Sequence, residues 1–110
     1  MPSRLSRPLV TPSESAIDLF AAMAALSLPV RRAIVLSVAG APGSSCGSAD
    51  FGISKSALTH HWRVLREAGL IRQDADGARH RNWLRRDELE RRFPGFLDLV
   101  LAQPAPSDVQ

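Results

Sequence analysis

Lys55, Ser56, Thr59, His60, Arg63 and Arg66 recur at steps of one and three residues within the run Ser54 to Gly69. On a helix that spacing gathers them on one face. Ammonium, guanidinium, imidazole and hydroxyl groups on one surface are donors suited to phosphate oxygens and to acceptor-rich base edges. The opposite face carries Leu58, Trp62, Leu65 and Ala68 at helical spacing, a stripe fit to bury. Ser54 stands where a side-chain oxygen can cap the first turn, and Gly69 stands just past the last periodic residue. Alone, such a helix reads as a solvated charged face, so its neighbours must decide.

The elements that follow decide for recognition. Leu70 to Gln73 reads as a short strand and Arg79 to Leu84 as another, with Asp76-Gly77 between them as a hairpin turn. A helix running into a basic hairpin predicts a mainly α fold with a small β-hairpin, the winged helix-turn-helix. In that layout the helix enters the major groove of double-stranded DNA and the hairpin touches flanking backbone or minor groove. Lys55, Ser56, Thr59 and His60, near the helix start, are placed for base edges. Arg63 and Arg66, with Arg79 and Arg81 on the wing, are placed for phosphates.

The distribution of charge agrees. Thirteen of the fourteen basic residues are arginine, and the formal net charge is only +3. Lys55 to Arg86 nevertheless holds eight basic residues against three acidic ones (Glu67, Asp74 and Asp76), while the remainder is slightly acidic. The positive field is thus concentrated on the helix and wing. A chain of 110 residues with 45% hydrophobic content suits one domain with a modest core. The single cysteine, Cys46, excludes an internal disulfide framework and fits a reducing cytoplasm. Leu19 to Leu28 is apolar, but Glu14 and Asp18 precede it and Arg31-Arg32 follow. It is also shorter than the roughly 20 residues that span a bilayer, so it reads as a soluble helix rather than a leader or anchor.

Residues 1–12 carry Pro2, Pro8 and Pro12 and read as a disordered lead whose Arg4 and Arg7 are solvated or brush DNA. Residues 13–102 make the folded domain. Ser13 is expected to cap a helix to about Leu28, with Ile17, Phe20, Met23, Ala24 and Ser27 as its stripe, widened by Leu19 and Leu26. Pro29 breaks it and opens a second helix to Ala39, buried through Ile34, Val35 and Val38. Gly40 to Gly52 leaves room for one short helix, about Gly47 to Phe51, where the first helix of the motif belongs. Beyond the wing, Asp87 opens a short helix with Leu89 and Phe93, and Pro94 starts another to Ala102. Residues 103–110 form a flexible polar tail. The terminal helices hold more large apolar groups than so small a domain needs. Either Phe20, Met23, Phe93, Phe96, Val100 and Leu101 are all core, or they are partly shared with a second copy. The second is favoured, with Phe20, Met23, Phe96, Leu97, Val100 and Leu101 expected at the interface of a two-fold homodimer suited to a palindromic operator.

Two separated blocks carry a family resemblance. Leu26-Ser-Leu-Pro-Val-Arg-Arg-Ala-Ile34 is followed by Ile53-Ser-Lys-Ser-Ala-Leu-Thr-His-His-Trp-Arg-Val-Leu-Arg-Glu-Ala-Gly-Leu-Ile71, and the wing adds Gly77 and Arg79. In order and spacing these resemble the ArsR/SmtB family of winged-helix transcriptional repressors over most of Ile17 to Leu84. The resemblance implies a homodimer whose operator occupancy answers to an effector. It implies that Ser56, Thr59 and His60 face bases or phosphates. It also matches His61 to a histidine common in that motif, counted here with the DNA-binding residues as a phosphate donor, the alternative being a structural role. The chain departs from the family's metal sensors: only Cys46 stands near the place of their paired thiolates. The terminal helix offers Asp98 and no histidine for the site built across C-terminal helices. The resemblance therefore leaves a divalent metal effector open. Nickel is one candidate, since a nickel-responsive member is similar in size and in lacking those thiolates.

Other readings are blander. Trp62 and Trp83 are core residues, one under the helix and one anchoring the wing. His60 and His61 point about 100° apart on a helix and do not converge on one ion unaided. Gly43-Ser44-Ser45-Cys46-Gly47 fits a nucleophile-elbow pattern only by chance, with no strand before it and no α/β sheet around it. The same glycines lack the ending of a phosphate loop. With no paired carboxylates, triad or metal cluster to place, enzymatic function is not expected. The alternative to a DNA-binding repressor is an interaction module using the winged helix to bind a partner subunit, such as a separate effector-sensing protein.

Overall fold

Asp18, not Ser13, starts the first α-helix. Its Oδ2 accepts from the Ala21 N–H at 2.9 Å, and helix α1 runs Leu19–Ala25. Ahead of it Glu14–Ala16 makes a single 3-10 turn. The single long helix expected from Ser13 is broken at Ile17, whose side chain drops into the core. Pro29 at the first turn opens α2, Pro29–Gly40, which buries Ile34, Val35 and Val38. The axes of α1 and α2 meet at 101°. No single helix among the described residues is long and apolar enough to cross a membrane. The structure is a computed structural model and describes residues 7–77 and 79–104.

A second 3-10 turn, Ser48–Phe51, precedes α3, Lys55–Glu67. Ser54 caps α3 as its sequence position requires, its Oγ accepting from the Ala57 N–H at 3.1 Å. Leu58, Trp62 and Leu65 form the buried face, extended by Ala68. Gly69 ends the helix at φ +83, and a Cβ there would stand 2.7 Å from Cγ1 of Ile17. Both the left-handed backbone and the close approach demand glycine.

Strands β2, Ile71–Asp76, and β3, Arg79–Leu84, pair antiparallel from Ile71 opposite Leu84 to Asp76 opposite Arg79. Gly77 supplies the positive φ of the turn. A third strand was not expected. Arg7–Pro8, β1, pairs with β2 on its other edge, giving the order β1-β2-β3. The lead read as disordered over residues 1–12 is thus ordered from Arg7 onward, while residues 1–6 lie outside the described part. Leu9 N–H donates to the Gln73 carbonyl at 2.8 Å, and Thr11 Oγ1 donates to the Arg66 carbonyl at 2.9 Å. The prolines that forbid a helix here are compatible with an edge strand, where a missing N–H is tolerated.

Arg86–Arg92 forms α4 and Phe96–Leu101 forms α5, which begins two residues later than the proline suggested. Arg85, itself buried, donates to Thr11 Oγ1 and to the Pro12 carbonyl. Glu14 takes two hydrogen bonds from Arg91, at 3.0 and 2.8 Å. These contacts stitch the N-terminal segment across α4. The start of the expected tail is also held, since Arg32 donates to the carbonyls of Val100, Leu101 and Gln103; residues 105–110 lie outside the described part.

The phase of α5 corrects one expected interface residue. Leu97 is only 2% exposed within the single chain and belongs to its core, whereas Leu99 is 66% exposed. Phe96, Val100 and Leu101 are half-buried against the core. Phe20 and Met23 do face outward, at 73% and 48%.

Candidate nucleic-acid interface

Capping by Ser54 fixes where α3 begins, and the buried Leu58-Trp62-Leu65 stripe fixes its rotation. Together they leave Lys55, Ser56, Thr59, His60 and Arg63 exposed along one side. Thr59 Oγ1 donates back to the Lys55 carbonyl at 3.0 Å, so its lone pairs remain to accept. Ser56 Oγ lies 3.2 Å from Ser54 Oγ at the helix start. Among the described residues Lys55, Arg63 and Arg79 make no ion pair.

Two expected members of this face point elsewhere. Arg66 is half-buried, with Nε on the Val10 carbonyl at 3.0 Å and Nη1 on Gln73 Oε1 at 2.7 Å. Its guanidinium braces the sheet and the N-terminal segment instead of facing the outer side with Arg63. By helical spacing Arg66 stays within about 20° of Thr59, so it is the long side chain, drawn to Val10 and Gln73, that leaves the face. His61 turns toward α2, where its Nδ1 accepts from Arg31 Nε at 3.1 Å. Burial, then the charges of Arg31 and His60, hold the His61 pKa below the ordinary imidazole value. The ring is therefore neutral and serves as an acceptor between helices.

On the wing Arg79, His80 and Arg81 are all exposed. Arg81 is partly neutralised by Asp76 at 3.4 Å, and Arg72 pairs with Asp74 at 3.7 Å. Arg72 also lies over Trp83, 4.2 Å from the ring centre, and the indole packs near Gly43. Trp62 is buried and Trp83 half-buried, so both serve packing. Between α3 and the wing lies a cleft in two parts that share Thr59, Trp62 and His80. One, of about 320 Å³, is also lined by Lys55, Arg79 and Cys46; the other, of about 220 Å³, by Leu9, Arg63 and Gln73.

Sequence reasoning missed what sets the angle of the wing. Gln73 and Asn82 are fully buried within the hairpin and hydrogen-bonded to each other. Asn82 Nδ2 also donates to the Ser44 carbonyl at 3.0 Å, and the backbones of Ser44 and Asn82 form a bridge. The chain of bonds Ser44–Asn82–Gln73–Arg66 therefore ties the turn before α3, both strands and the last turn of α3 together. The available signal was period two: Gln73 shares the inward face of β2 with Ile71.

Cys46 is half-buried, its Sγ 3.4 Å from Ser37 Oγ. Among the described residues no three His, Cys, Asp or Glu side chains stand together as a metal site. The expected divalent metal effector, nickel included, thus has no ready ligand set within the described part of one chain.

A capped, buried-backed helix, preceded by a tight turn and followed by a basic hairpin, defines a winged helix-turn-helix. The first helix of the motif is reduced to the 3-10 turn at Ser48–Phe51. Residues 26–74, from the end of α1 through α3 into β2, match the model of a family described as a helix-turn-helix domain. No curated protein matches the chain. Such a fold is the architecture of a DNA-binding regulator.

Proposed function

We propose that this protein is a sequence-specific transcriptional repressor, cytoplasmic, that occupies a palindromic operator as a homodimer and answers to an effector. One observation carries the reading: Lys55, Ser56, Thr59, His60 and Arg63 project from a helix whose opposite face is locked into the core beside an arginine-bearing wing. Lys55, Ser56, Thr59 and His60 read base edges near the start of α3, while Arg63, Arg79 and Arg81 hold phosphates. Arg66 and His61 act from behind, Arg66 on the wing and His61 on α2.

The dimer is supported by the outward Phe20, Met23 and Leu99. Met23 and Leu99 join Leu19, Phe93 and Phe96 in lining an apolar groove of about 590 Å³ between α1 and α5, and Phe20 is exposed on α1. Exposed apolar surface of this kind marks an interaction site, and a two-fold pairing is the commonest way to cover it. Two recognition helices would then meet successive major grooves about 34 Å apart. Adjacent arginines support the effector response: Arg31 holds His61 on α3, and Arg32 holds the last carbonyls of α5. A ligand that shifts α5 thereby acts on α3 through one turn of α2.

Selection of bound duplexes from genomic fragments, with and without divalent metals and oxidant, tests the reading. A recovered inverted repeat whose occupancy changes with one addition is expected. Equal binding of the recovered site and its scrambled version would end the proposal.

A further inference from the structure

His80 is the wing residue turned toward the recognition helix. It shares the inward side of β3 with the buried Asn82, two positions along. Its partner across the hairpin is Ala75, whose methyl group is too small to cover an imidazole. Both parts of the cleft between α3 and the wing count His80 among their walls, with Thr59 and Trp62. The side chain is nevertheless exposed, at the mouth of that cleft.

Its position is fixed from below. Asn82 Nδ2 donates to the His80 carbonyl at 3.3 Å. Asn82 is in turn bonded to Gln73, and Gln73 to Arg66 on the last turn of α3. The span between His80 and the helix is therefore set by buried hydrogen bonds and not by a free loop.

The charge around His80 has one sign. Lys55 and Arg79 line the larger part of the cleft, Arg63 and Arg66 the smaller, and no carboxylate lines either. Among the described residues Lys55, Arg63 and Arg79 belong to none of the ion pairs. Beneath them Leu58 and Trp62 make an apolar floor, each only 7% exposed. Donors held over apolar groups attract an anion more strongly than donors standing free in water.

We propose that this cleft is an oxyanion seat, in which an imidazole N–H of His80 donates to a duplex phosphate that Arg79 neutralises, within the positive field of Lys55 across the cleft. The proposal rests on the reading of α3 and the wing as a DNA interface. It gives that interface a clamp: one backbone phosphate held between helix and wing fixes how the helix is registered on the duplex. A free oxyanion shares the chemistry and competes for the same seat.

The test has two arms, both with the full-length protein. In the first, uncharged methylphosphonates replace single backbone positions of the recovered operator. One position in each half-site is expected to weaken wild-type binding roughly tenfold, the scale of a hydrogen bond to a charged group. His80→Ala should weaken the unmodified operator and its scrambled version alike and erase the penalty at that position, as groups in contact do in a double-mutant cycle. His80→Lys, which returns a donor, should restore both. In the second arm inorganic phosphate is added to protein without DNA, in the Trp83→Phe variant, so that Trp62 at the cleft floor reports alone. Saturable quenching that chloride at equal ionic strength does not reproduce, and that His80→Ala abolishes, supports the seat with a free anion as its source. Coupling at one backbone position supports it with the duplex as source. Neither coupling nor saturable quenching overturns the seat. Arg63→Ala is measured alongside: if it weakens binding where His80→Ala does nothing, the seat alone fails. If neither variant changes binding, the interface on α3 fails with it.

Discussion

Gln73 Nε2 donates to Asn82 Oδ1 at 2.7 Å, with both side chains sealed from solvent between β2 and β3. The far oxygen of Gln73 is taken by Arg66, and the far nitrogen of Asn82 by Ser44. Every polar atom of the pair is thereby engaged, which a buried amide requires. Gln73→Leu leaves Asn82 Oδ1 and an arginine N–H unpaired and should destabilise by about 1–3 kcal/mol. Gln73→Leu/Asn82→Leu removes both ends of the bond and should cost less than the sum of the singles. Urea unfolding of the four proteins checks this, and strict additivity would mean the amides are not coupled.

Arg63 and Thr59 lie on the same exposed side of α3 but are expected to fail differently. Arg63→Ala removes a phosphate contact, lowering affinity for all duplexes alike and the salt slope by about 1. Thr59→Ala and His60→Ala should instead narrow the gap between operator and mismatched sites, each by about 1–3 kcal/mol for the base pair concerned. Titrations at several salt concentrations on paired duplexes separate the two outcomes. Loss of operator preference by Arg63→Ala alone would reverse the assignment.

Gly69 carries two constraints at once, a φ of +83 and a virtual Cβ 2.7 Å from Ile17. Gly69→Ala therefore strains the backbone and pushes Ile17 out of its seat. A loss of about 1–3 kcal/mol or more is expected. The double variant Gly69→Ala/Ile17→Ala should relieve the steric share and leave the backbone share. Thermal unfolding measures both, and an unaltered melting temperature in the single variant would contradict the close approach.

His61 and Glu14 divide the acid side of the stability curve between them. The His61 pKa is lowered in the fold, first by burial and then by Arg31 and His60. The unfolded chain then binds the proton more readily, so stability is full above the unfolded value of about 6.5 and falls as pH drops through it. His61→Gln should flatten that limb. The Glu14 pKa is lowered by its hydrogen bonds from Arg91. Its contribution is present above the unfolded value of about 4.3 and is lost at lower pH. Denaturation across pH resolves the two windows, and a wild-type curve flat from pH 7 down to 5 would exclude the His61–Arg31 contact as a stabilising one.

The recognition helix and wing were legible because each announces itself locally. Ser54, the Leu58-Trp62-Leu65 stripe, Gly69 and Asp76-Gly77 signal their roles within a few residues. Arg66 and His61 were misplaced because helical spacing assigns a face without saying which neighbours compete for a side chain. A carbonyl at Val10 and a guanidinium at Arg31 lie 56 and 30 residues away. β1 was invisible for the same reason, since two residues acquire strand character only from the partner edge of β2. The sequence pattern assigns Leu97 to the interface and gives Leu99 no role, because the start of α5, and so its phase, is set by the left-handed Gly95 at φ +82 rather than by Pro94.

Phe20 and Leu99 are the apolar side chains on α1 and α5 that the single chain leaves most open, at 73% and 66%. Burying such groups is worth about 1.5–3 kcal/mol each, so a pair of protomers gains from covering both. Phe20→Glu/Leu99→Glu places two carboxylates per protomer in that contact while leaving the core untouched. Sedimentation should show the wild type at about twice its 12.0 kDa chain mass and the variant at one. The variant should keep its melting profile at low concentration and lose tight binding to a full operator, while still binding an isolated half-site weakly. A wild type that sediments as one chain would place the operator contacts on a monomer, and the outward apolar face would then belong to another partner.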